Sequence, residues 1–273
     1  MAVHIMFSRA GIKGCPKGQP FCNLGIMDKD MSVEKIRLNK FIAMCGTCSR
    51  READRLIEQG RVRINGSIAI VGATVTENDS VMVDNIPVSP TKEKVVLAFN
   101  KPKGVTCSER DEHAEITINE LIDYPQRVTY AGRLDKDSEG LILLTNDGDL
   151  INSMMRGANG HEKEYVVKVN GRLTKDICDK MKEGIYISEL DRTTKPCRIF
   201  NIIYNSDNTT TFNIVLTEGL NRQIRRMCDF FDLKVIKLTR IRVLNIRLGK
   251  LATGSSRRIT GDELNELYRL SGR

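Results

Sequence analysis

The pattern of hydrophobic and polar positions changes character along the chain. Between residues 34 and 83, apolar residues recur first at helical spacing and then at every second position, which predicts two short helices followed by strands. The first helix is expected to begin at Ile36 and to end at Gly46. The second is expected to begin after Ser49, with a glutamate three residues later in capping-box spacing, and to end at Gly60. An Asn-Gly pair at 65–66 is typical of a hairpin turn.

The remainder of the chain is a longer mixture of short strands and helices. Apolar or alternating runs predict strands at 95–100, 141–145, 165–169, 211–217 and, in two pieces, 234–248. Helical spacing predicts helices at 116–121, 175–182, 222–231 and 261–270, the last with a capping box that starts at Thr260. Because long helices do not regularly follow the strands, we expect an α+β fold with a mixed, largely antiparallel sheet and flanking helices.

These patterns divide the chain into four segments. Residues 1–33 are rich in glycine and proline without periodicity, and we expect a disordered extension. Residues 34–89 form the small ααβ unit, and 90–94 are the linker that joins it to the larger domain at 95–273. A chain of 273 residues with 40% hydrophobic residues is long enough for two modest domains, each with its own core.

The positive charge of the chain is concentrated in one segment. The formal net charge is +8, yet the 38 residues from Asn221 to Arg258 carry eight arginines and three lysines against two aspartates. A concentrated basic surface is what a polyphosphate ligand selects, because each neutralised phosphate releases condensed counterions. The alternative is an ordinary solvated charged face, and charge alone leaves both possibilities open.

Several functional classes are excluded or disfavoured by composition. No run of eighteen apolar residues is present and the N-terminus lacks the apolar block of a secretory signal, so we expect a cytoplasmic protein without a membrane span. With three histidines and no tryptophan, a histidine-rich metal site is not expected. The CxxC pair Cys45 and Cys48 could be half a zinc site or a redox pair. It has no second such pair and no βαβ context, which favours buried thiols.

The densest set of chemically useful residues is the polar loop Gly132–Gly140, which leads into an apolar strand. As an EF-hand, the loop would need a bidentate glutamate at its twelfth position, where Asn146 stands. As a glycosidase pair, Asp135 and Asp137 lack an aromatic sugar cleft in a chain with 5% aromatic residues. A single carboxylate held by neighbouring arginines and an ordinary charged turn are the two other interpretations.

Two resemblances narrow these alternatives. The string LNKFIAMCGTCSRREADRLIEQGRVRING resembles the S4 RNA-binding domain. The loop string GRLDKDSEGLILLTNDGDL resembles the catalytic motif of the pseudouridine synthases, in the bacterial small-subunit-type branch. NKPKGV at 100–105, HEKEYVVKV at 161–169 and EGLNRQIRRM at 218–227 resemble the other motifs of that branch, in the same order. Within it, the strings most resemble the synthase F group that modifies 23S ribosomal RNA.

The resemblance implies roles for individual residues. Asp135 matches the family aspartate, which acts as nucleophile and must be ionised, and Arg225 matches the arginine that forms an ion pair with it. Tyr165 matches the tyrosine that stacks on the uracil; without the motif, a strand core residue would be the simpler interpretation. The implied substrate-binding residues are Arg133, Lys163, Leu216 and Gln223. The target uridine would have to flip out of its stack to reach this pocket.

The resemblance also gives the basic residues a partner, structured 23S ribosomal RNA. The expected phosphate contacts are Lys40, Arg50, Arg51 and Arg55 in the S4-like unit, and Arg222, Arg226, Arg240 and Arg242 in the basic segment. Arg240 and Arg242 alternate with apolar residues, so we expect them on one exposed sheet face that tracks phosphates. Whether transfer RNA is also a substrate is left open, and we expect a monomer.

The implied reaction requires no cofactor. Isomerisation adds and removes nothing, and the chain has neither a GxxxxGK[ST] nor a GxGxxG motif, so no cofactor or metal is expected. The rival hypothesis is a non-catalytic S4-type RNA-binding protein that keeps the fold without the activity. The joint presence of Asp135, Tyr165 and Arg225 favours the enzyme.

Overall fold

The computed structural model describes residues 35–91, 93–108, 115–156 and 160–273. The predicted disordered extension at 1–33 therefore lies outside the described residues. The four-segment division of the chain remains a prediction.

The two predicted N-terminal helices are present as α1 (Leu38–Met44) and α2 (Arg50–Glu58). The hydroxyl of Ser49 accepts a hydrogen bond from the backbone N–H of Glu52 at 3.2 Å and caps α2, as its position predicts. The start of α1 was predicted two residues too early. Ile36–Arg37 is a strand, β1, because it pairs with β4 (Thr74–Val75) in a two-stranded sheet.

A four-stranded antiparallel sheet completes this part of the chain. Its strands, in the order β3-β2-β5-β6, are β2 (Val62–Ile64), β3 (Ser67–Ile68), β5 (Val81–Val83) and β6 (Ile86–Val88). The predicted turn between β2 and β3 is confirmed, with Asn65 at φ 49° and Gly66 at φ 85°. Positive φ at both positions matches the right-handed twist of the two strands. The helices pack on this sheet through a buried apolar cluster.

The larger sheet has nine strands and is mixed, as predicted. Its main order is β13-β14-β10-β15-β9-β7-β17, with β16 paired to β15 and β8 paired to β9. The strands are β7 (Val96–Lys101), β8 (Thr129–Tyr130), β9 (Glu139–Thr145), β10 (Lys163–Asn170), β13 (Arg198–Tyr204), β14 (Thr209–Leu216), β15 (Val235–Val243), β16 (Ile246–Arg247) and β17 (Ser256–Arg258). The pairing of β9 with β15 is parallel and the others are antiparallel.

Helices cover both faces of this sheet. They are α3 (Gly148–Met155), α4 (Lys175–Glu183), α5 (Gln223–Asp229) and α6 (Gly261–Leu270). Side chains of α4 and α5 join the apolar cluster on one face, and those of α3 and α6 join the cluster on the other. Ile142 and Leu144 of β9 point into the first cluster and Leu141 and Leu143 into the second. A strand that is buried on both faces has a continuous run of apolar residues, and the sequence of β9 contains such a run.

The remaining predictions for this domain have mixed outcomes. The helix expected at 116–121 is a short 3₁₀ turn, Ile118–Leu121, and α3 was not predicted. The capping box expected at Thr260 is wrong, because that side chain makes no hydrogen bond to α6. A separate two-stranded ribbon consists of β11 (Tyr186–Ile187) and β12 (Arg192–Thr193). No helix in the described ranges is long and apolar enough to cross a membrane.

The cysteines of the described ranges are thiols. Cys107, Cys178 and Cys228 are buried, whereas Cys45 and Cys48 of the CxxC pair are half-buried. Burial raises the pKa of the Cys45 thiol to about 11. A thiol in such surroundings is a weak nucleophile at neutral pH.

Candidate active site

Three neighbouring strands place residues from two of the motifs in one row with Arg240. Gly140 of β9 pairs with Arg240 of β15, and Arg240 pairs in turn with Tyr165 of β10. Neighbouring strands lie about 4.8 Å apart, so Tyr165 and Gly140 are about 10 Å apart across the sheet. The loop that carries Asp135 enters the sheet at Gly140. We call the row Gly140–Arg240–Tyr165 the central seam.

Gly140 is the tightest point of the central seam. Its φ is +104°, and a Cβ placed on it would lie 2.3 Å from the backbone oxygen of Arg240. That separation is far below van der Waals contact. The oxygen belongs to the backbone, which cannot move away as a flexible side chain could. Only glycine permits the parallel strands to approach this closely, and their approach fixes where the loop at 132–140, which we call the motif loop, ends.

Arg240 holds the two ends of the motif loop together. Its Nε donates a 2.6 Å hydrogen bond to the carbonyl of Leu141, and its Nη1 donates to the carbonyl of Arg133 at 3.3 Å. The residue is 4% exposed. The predicted exposed position of Arg240 on a face that contacts phosphates is therefore wrong, because the side chain is buried and donates to carbonyls inside the fold.

A buried lysine that was not selected from the sequence lies on the other side of Gly140. Lys101 of β7 pairs with Gly140 and is fully buried. Its Nζ donates to the carbonyl of Pro102 at 2.8 Å and to that of Lys136, in the motif loop, at 3.5 Å. Burial lowers the pKa of Lys101, and the attraction of Asp135 and other nearby acidic groups opposes that shift. A lysine that ends an apolar strand, within the motif NKPKGV, is the sequence feature that could have indicated it.

The ion pair expected between Arg225 and Asp135 is absent from the described part of the chain. Arg225 instead contacts Asp137, with its Nε 3.5 Å from the carboxylate and its Nη2 donating to the backbone carbonyl at 3.0 Å. The Asp135 carboxylate is half-buried and makes no hydrogen bond or ion pair within the described residues. Asp137 lies two residues further along the loop, nearer to α5, and this explains the exchange of partners.

Asp137 is the carboxylate that joins the motif loop to α5. Arg222 donates two parallel hydrogen bonds to it, at 3.0 and 3.1 Å, in addition to the contact from Arg225. The hydrogen bonds from Arg222 lower the pKa of Asp137, although partial burial opposes the shift. A planar guanidinium matches a carboxylate in this bidentate manner, which fixes the orientation of both groups.

A charged cleft of about 320 Å³ opens beside this ion pair. Its lining residues are Lys103, Asp137, Arg222, Arg225, Asp229, Lys234, Val235 and Ile236. Four of them are cationic and two are anionic, so the cleft has a net positive charge. Neither Asp135 nor Tyr165 lines it; the cleft adjoins the motif loop on the α5 side.

Tyr165 and Leu216 lie in the apolar cluster under the sheet. Both are buried, and no hydrogen-bond partner of the Tyr165 hydroxyl occurs among the residues that the structure describes. Lys163 pairs across the sheet with Leu216, and its Nζ donates to the carbonyl of His161 at 3.0 Å. Burial, helped by repulsion from Arg240, lowers the pKa of Lys163 to about 8. These three side chains remain candidates for contact with a base.

Gln223 differs from the prediction. It is buried, its Nε2 donates to Glu218 at 2.8 Å, and its Oε1 accepts from the backbone N–H of Leu220 at 3.2 Å. Both ends of the amide therefore have partners inside the fold. Gln223 braces the start of α5 instead of facing a substrate.

Arg242 also has internal partners. Its Nε donates to Glu164 at 2.9 Å and its Nη2 to Glu162 at 3.0 Å, with 13% of the side chain exposed. The expectation that it shares an exposed face, in contact with phosphates, with Arg240 is wrong.

Two other predicted RNA contacts lie nearer the surface. Arg226 forms an ion pair with Glu189 at 3.1 Å. Arg133 is exposed on the motif loop, as a residue that contacts RNA must be.

The basic residues of the S4-like unit are more accessible. Arg50, Arg51 and Arg55 are exposed on α2, and Lys40 is half-exposed on α1. Arg55 forms one ion pair, with Glu52 at 3.3 Å, and an exposed pair of this kind is weak and easily exchanged. This helix therefore offers cations to solvent.

Comparison with known proteins agrees with the geometry. Residues 95–230 match the family model described as RNA pseudouridylate synthase, and residues 36–81 match the S4 domain. A dual-specificity RNA pseudouridine synthase, RluF, of Salmonella typhi is 43% identical over 86% of this chain and 79% of the relative. The ribosomal large subunit pseudouridine synthase B of Bacillus subtilis is 34% identical over 86% of this chain and 96% of its own length. This chain belongs to the RNA pseudouridine synthase family.

A solved structure supports the same assignment for the fold. A crystal structure of a pseudouridylate synthase superposes with a TM-score of 0.60 at 30% identity, covering 85% of this chain and 99% of that one. Members of the family are isomerases that act on RNA, and the nine-stranded sheet with its central seam is the synthase domain of this one. The N-terminal helices and small sheet are its S4 domain.

Proposed function

We propose that this synthase isomerises a specific uridine of 23S ribosomal RNA, with Asp135 as the nucleophile and with the target base flipped out of its stack. In the reaction the bond from N1 of uracil to C1′ breaks and a bond from C5 to C1′ forms. The hydrogen on C5 leaves to solvent and N1 gains one. A stacked base does not present these atoms to a side chain, so extrusion must precede the chemistry.

The observation that carries this proposal is the state of the Asp135 carboxylate. The neighbouring loop residues have hydrogen bonds to α5, to β15 and to Lys101, whereas the Asp135 carboxylate has no hydrogen-bond or ion-pair partner in the described ranges. A nucleophile has to be held in place by its surroundings and left free at the reacting atom. Lys101 and the cationic cleft place positive charge beside the loop that carries Asp135.

The competing glycosidase interpretation fits the geometry less well. It requires one of Asp135 and Asp137 to act as a general acid, which needs a carboxyl that stays protonated near neutral pH. Asp137 is held by two arginines and its pKa is lowered, so it remains a carboxylate. Asp137 therefore cannot supply the proton.

The choice of RNA is inferred from the relatives. Their names specify the large ribosomal subunit for the Bacillus subtilis protein and dual specificity for the Salmonella typhi protein. We extend the large-subunit assignment to this chain, with 23S RNA as the substrate. The exposed arginines of α2 would contact RNA phosphates. We expect the enzyme to act as a monomer in the cytoplasm.

Release of tritium from RNA labelled at C5 of uridine tests the proposal. We expect the wild-type protein to release tritium from 23S RNA, and Asp135→Asn to release none above background while it binds the same RNA with similar affinity. The amide keeps the size of the side chain and removes its nucleophilic oxygen. Wild-type turnover by Asp135→Asn would disprove the nucleophile, and an inactive wild-type protein would support the non-catalytic RNA-binding alternative.

A further inference from the structure

After Asp135, the motif loop is attached on one side to β7 and to the residues that follow it. The carbonyl of Lys136 accepts hydrogen bonds from the backbone N–H of Gly104 at 2.7 Å and from Lys101 at 3.5 Å, and both donors come from β7 or the residues that follow it. The Asp137 side chain provides the attachment on the opposite side, to α5. Together with the hydrogen bond from Arg240 to the carbonyl of Arg133, the β7 attachment and this α5 anchor hold the loop around Asp135.

The α5 anchor begins at an unusual backbone position. Arg222 precedes the first turn of α5 with a left-handed φ of 51°, and no side chain caps the helix. An L-residue with a long side chain is unfavourable in this conformation, so it persists where other contacts hold it. The bidentate pair with Asp137, which is 85 residues away in the sequence, is such a contact.

Arg225 depends on the same carboxylate. Its side chain is 11% exposed, and its Nε is buried without a hydrogen-bond partner, although the Asp137 carboxylate lies 3.5 Å away. Its Nη2 donates to the backbone carbonyl of Asp137. Removal of the Asp137 charge would leave this guanidinium with neutral acceptors alone in the loop.

We infer that Asp137 is a positioning residue of the synthase, which acts through Arg222 and Arg225 to fix the loop that presents Asp135. The inference rests on the proposed function, because it assigns Asp137 a role in the turnover of uridine. The inference assigns different roles to the two carboxylates of the loop. Asp135 faces the substrate, and Asp137 ties the loop to α5.

The test compares the turnover of Asp137→Asn with that of the wild-type protein in the tritium-release assay. Asparagine keeps the volume but accepts fewer hydrogen bonds and carries no charge. We expect kcat to fall about 100-fold, the loss typical of a reacting group displaced by about 1 Å, with KM for RNA little changed. Asp137→Glu restores the charge and should recover part of the lost kcat.

Two further variants make the test specific. Asp179→Asn removes a half-exposed carboxylate from a surface ion pair with Lys182 on α4, and should keep wild-type kinetics. The double variant of Asp137→Asn and Arg222→Gln should be no slower than the slower of the two single variants, because both substitutions break the same contact between Asp137 and Arg222. If Asp137→Asn fails to fold, Arg222→Gln and Asp137→Glu are compared instead.

The outcomes separate the two proposals. Wild-type kcat in Asp137→Asn, a loss confined to KM, or additive losses in the double variant would each overturn the positioning role while the wild-type protein remains active. An inactive wild-type protein would overturn the proposed function instead. A fall in kcat that Asp137→Glu partly reverses supports the inference.

Discussion

Arginines in two parts of this synthase have the same chemistry and opposite surroundings. Arg240 and Arg242 of β15 are buried or nearly so, and their guanidinium groups donate to carbonyls and carboxylates of the fold. Arg50 and Arg51 of α2 are exposed to solvent. A buried arginine with internal partners stabilises the site, whereas an exposed one is available to a phosphate. A basic residue in the sequence can thus be buried with internal partners or exposed to solvent, and the surrounding fold determines which of the two applies.

The largest effect should follow from breaking the central seam at Gly140. Gly140→Ala places a Cβ 2.3 Å from the backbone oxygen of Arg240 at a φ of +104°, so β9 and β15 must separate. We expect the free energy of unfolding to fall by more than about 4 kcal/mol, measured by denaturant titration. Gly148→Ala is the matched control, because nothing lies within 4 Å of its added Cβ; it should change stability by less than about 0.5 kcal/mol. Equal stabilities of the two variants would refute the importance of the close approach.

A smaller loss of stability should follow from Arg242→Met, because the nearly buried Glu164 then lacks its positively charged partner. We expect the free energy of unfolding to fall by about 3 kcal/mol at pH 7. The pKa of Glu164 is lowered in the fold: burial opposes the shift, and the hydrogen bonds from Arg242 and Asn213 outweigh it.

This pair also predicts a pH dependence. A carboxyl with a lowered pKa contributes stability above the ordinary pKa of 4.5 and loses it as the pH falls through the folded value. In the variant, protonation of the unpaired Glu164 removes the free-energy cost of its buried charge. The difference in unfolding free energy between the wild type and Arg242→Met should therefore shrink below pH 4.5. A difference that is constant from pH 7 to pH 3 would contradict this account.

The smallest effect on stability, and a clear one on RNA binding, should come from α2. The triple substitution of Arg50, Arg51 and Arg55 by glutamine should change the free energy of unfolding by less than about 0.5 kcal/mol each. Each phosphate contact contributes about 0.7 to 0.9 to the slope of log K against log salt, so the loss of three contacts should reduce the slope by about 2 to 3.

The control for this variant removes the same charge elsewhere. Substitution of Lys175, Lys180 and Lys182 of α4 by glutamine should leave the salt slope for a 23S stem-loop unchanged. A slope reduced equally by both triple variants would mean that net charge, and not the S4 domain, determines the affinity.

Features set by neighbouring residues were predictable from the sequence. The Ser49 cap and the Asn-Gly turn depend on contacts within three or four residues, and both occur as expected. The apolar run of β9 also identified a strand. By contrast, β13 was missed, because it lies at the edge of the sheet and most of its positions are not buried, so it shows no regular alternation.

The candidate site was predictable in its members and less so in its contacts. The motifs selected residues on the loop, β10 and α5, but spacing could not show that Arg225 contacts Asp137, 88 residues away, instead of Asp135. The alternation of Arg240 and Arg242 indicated one sheet face. It did not show that both guanidinium groups have partners inside the fold, and so the arginines were expected on an exposed face.

The central claim is that this synthase forms pseudouridine in 23S RNA through Asp135. The most direct measurement maps pseudouridines in ribosomal RNA from cells that lack the gene and from the same cells complemented with wild type or Asp135→Asn. We predict that at least one 23S position is unmodified without the gene, is restored by the wild type, and stays unmodified with Asp135→Asn. Identical maps in all of these cells would contradict the account.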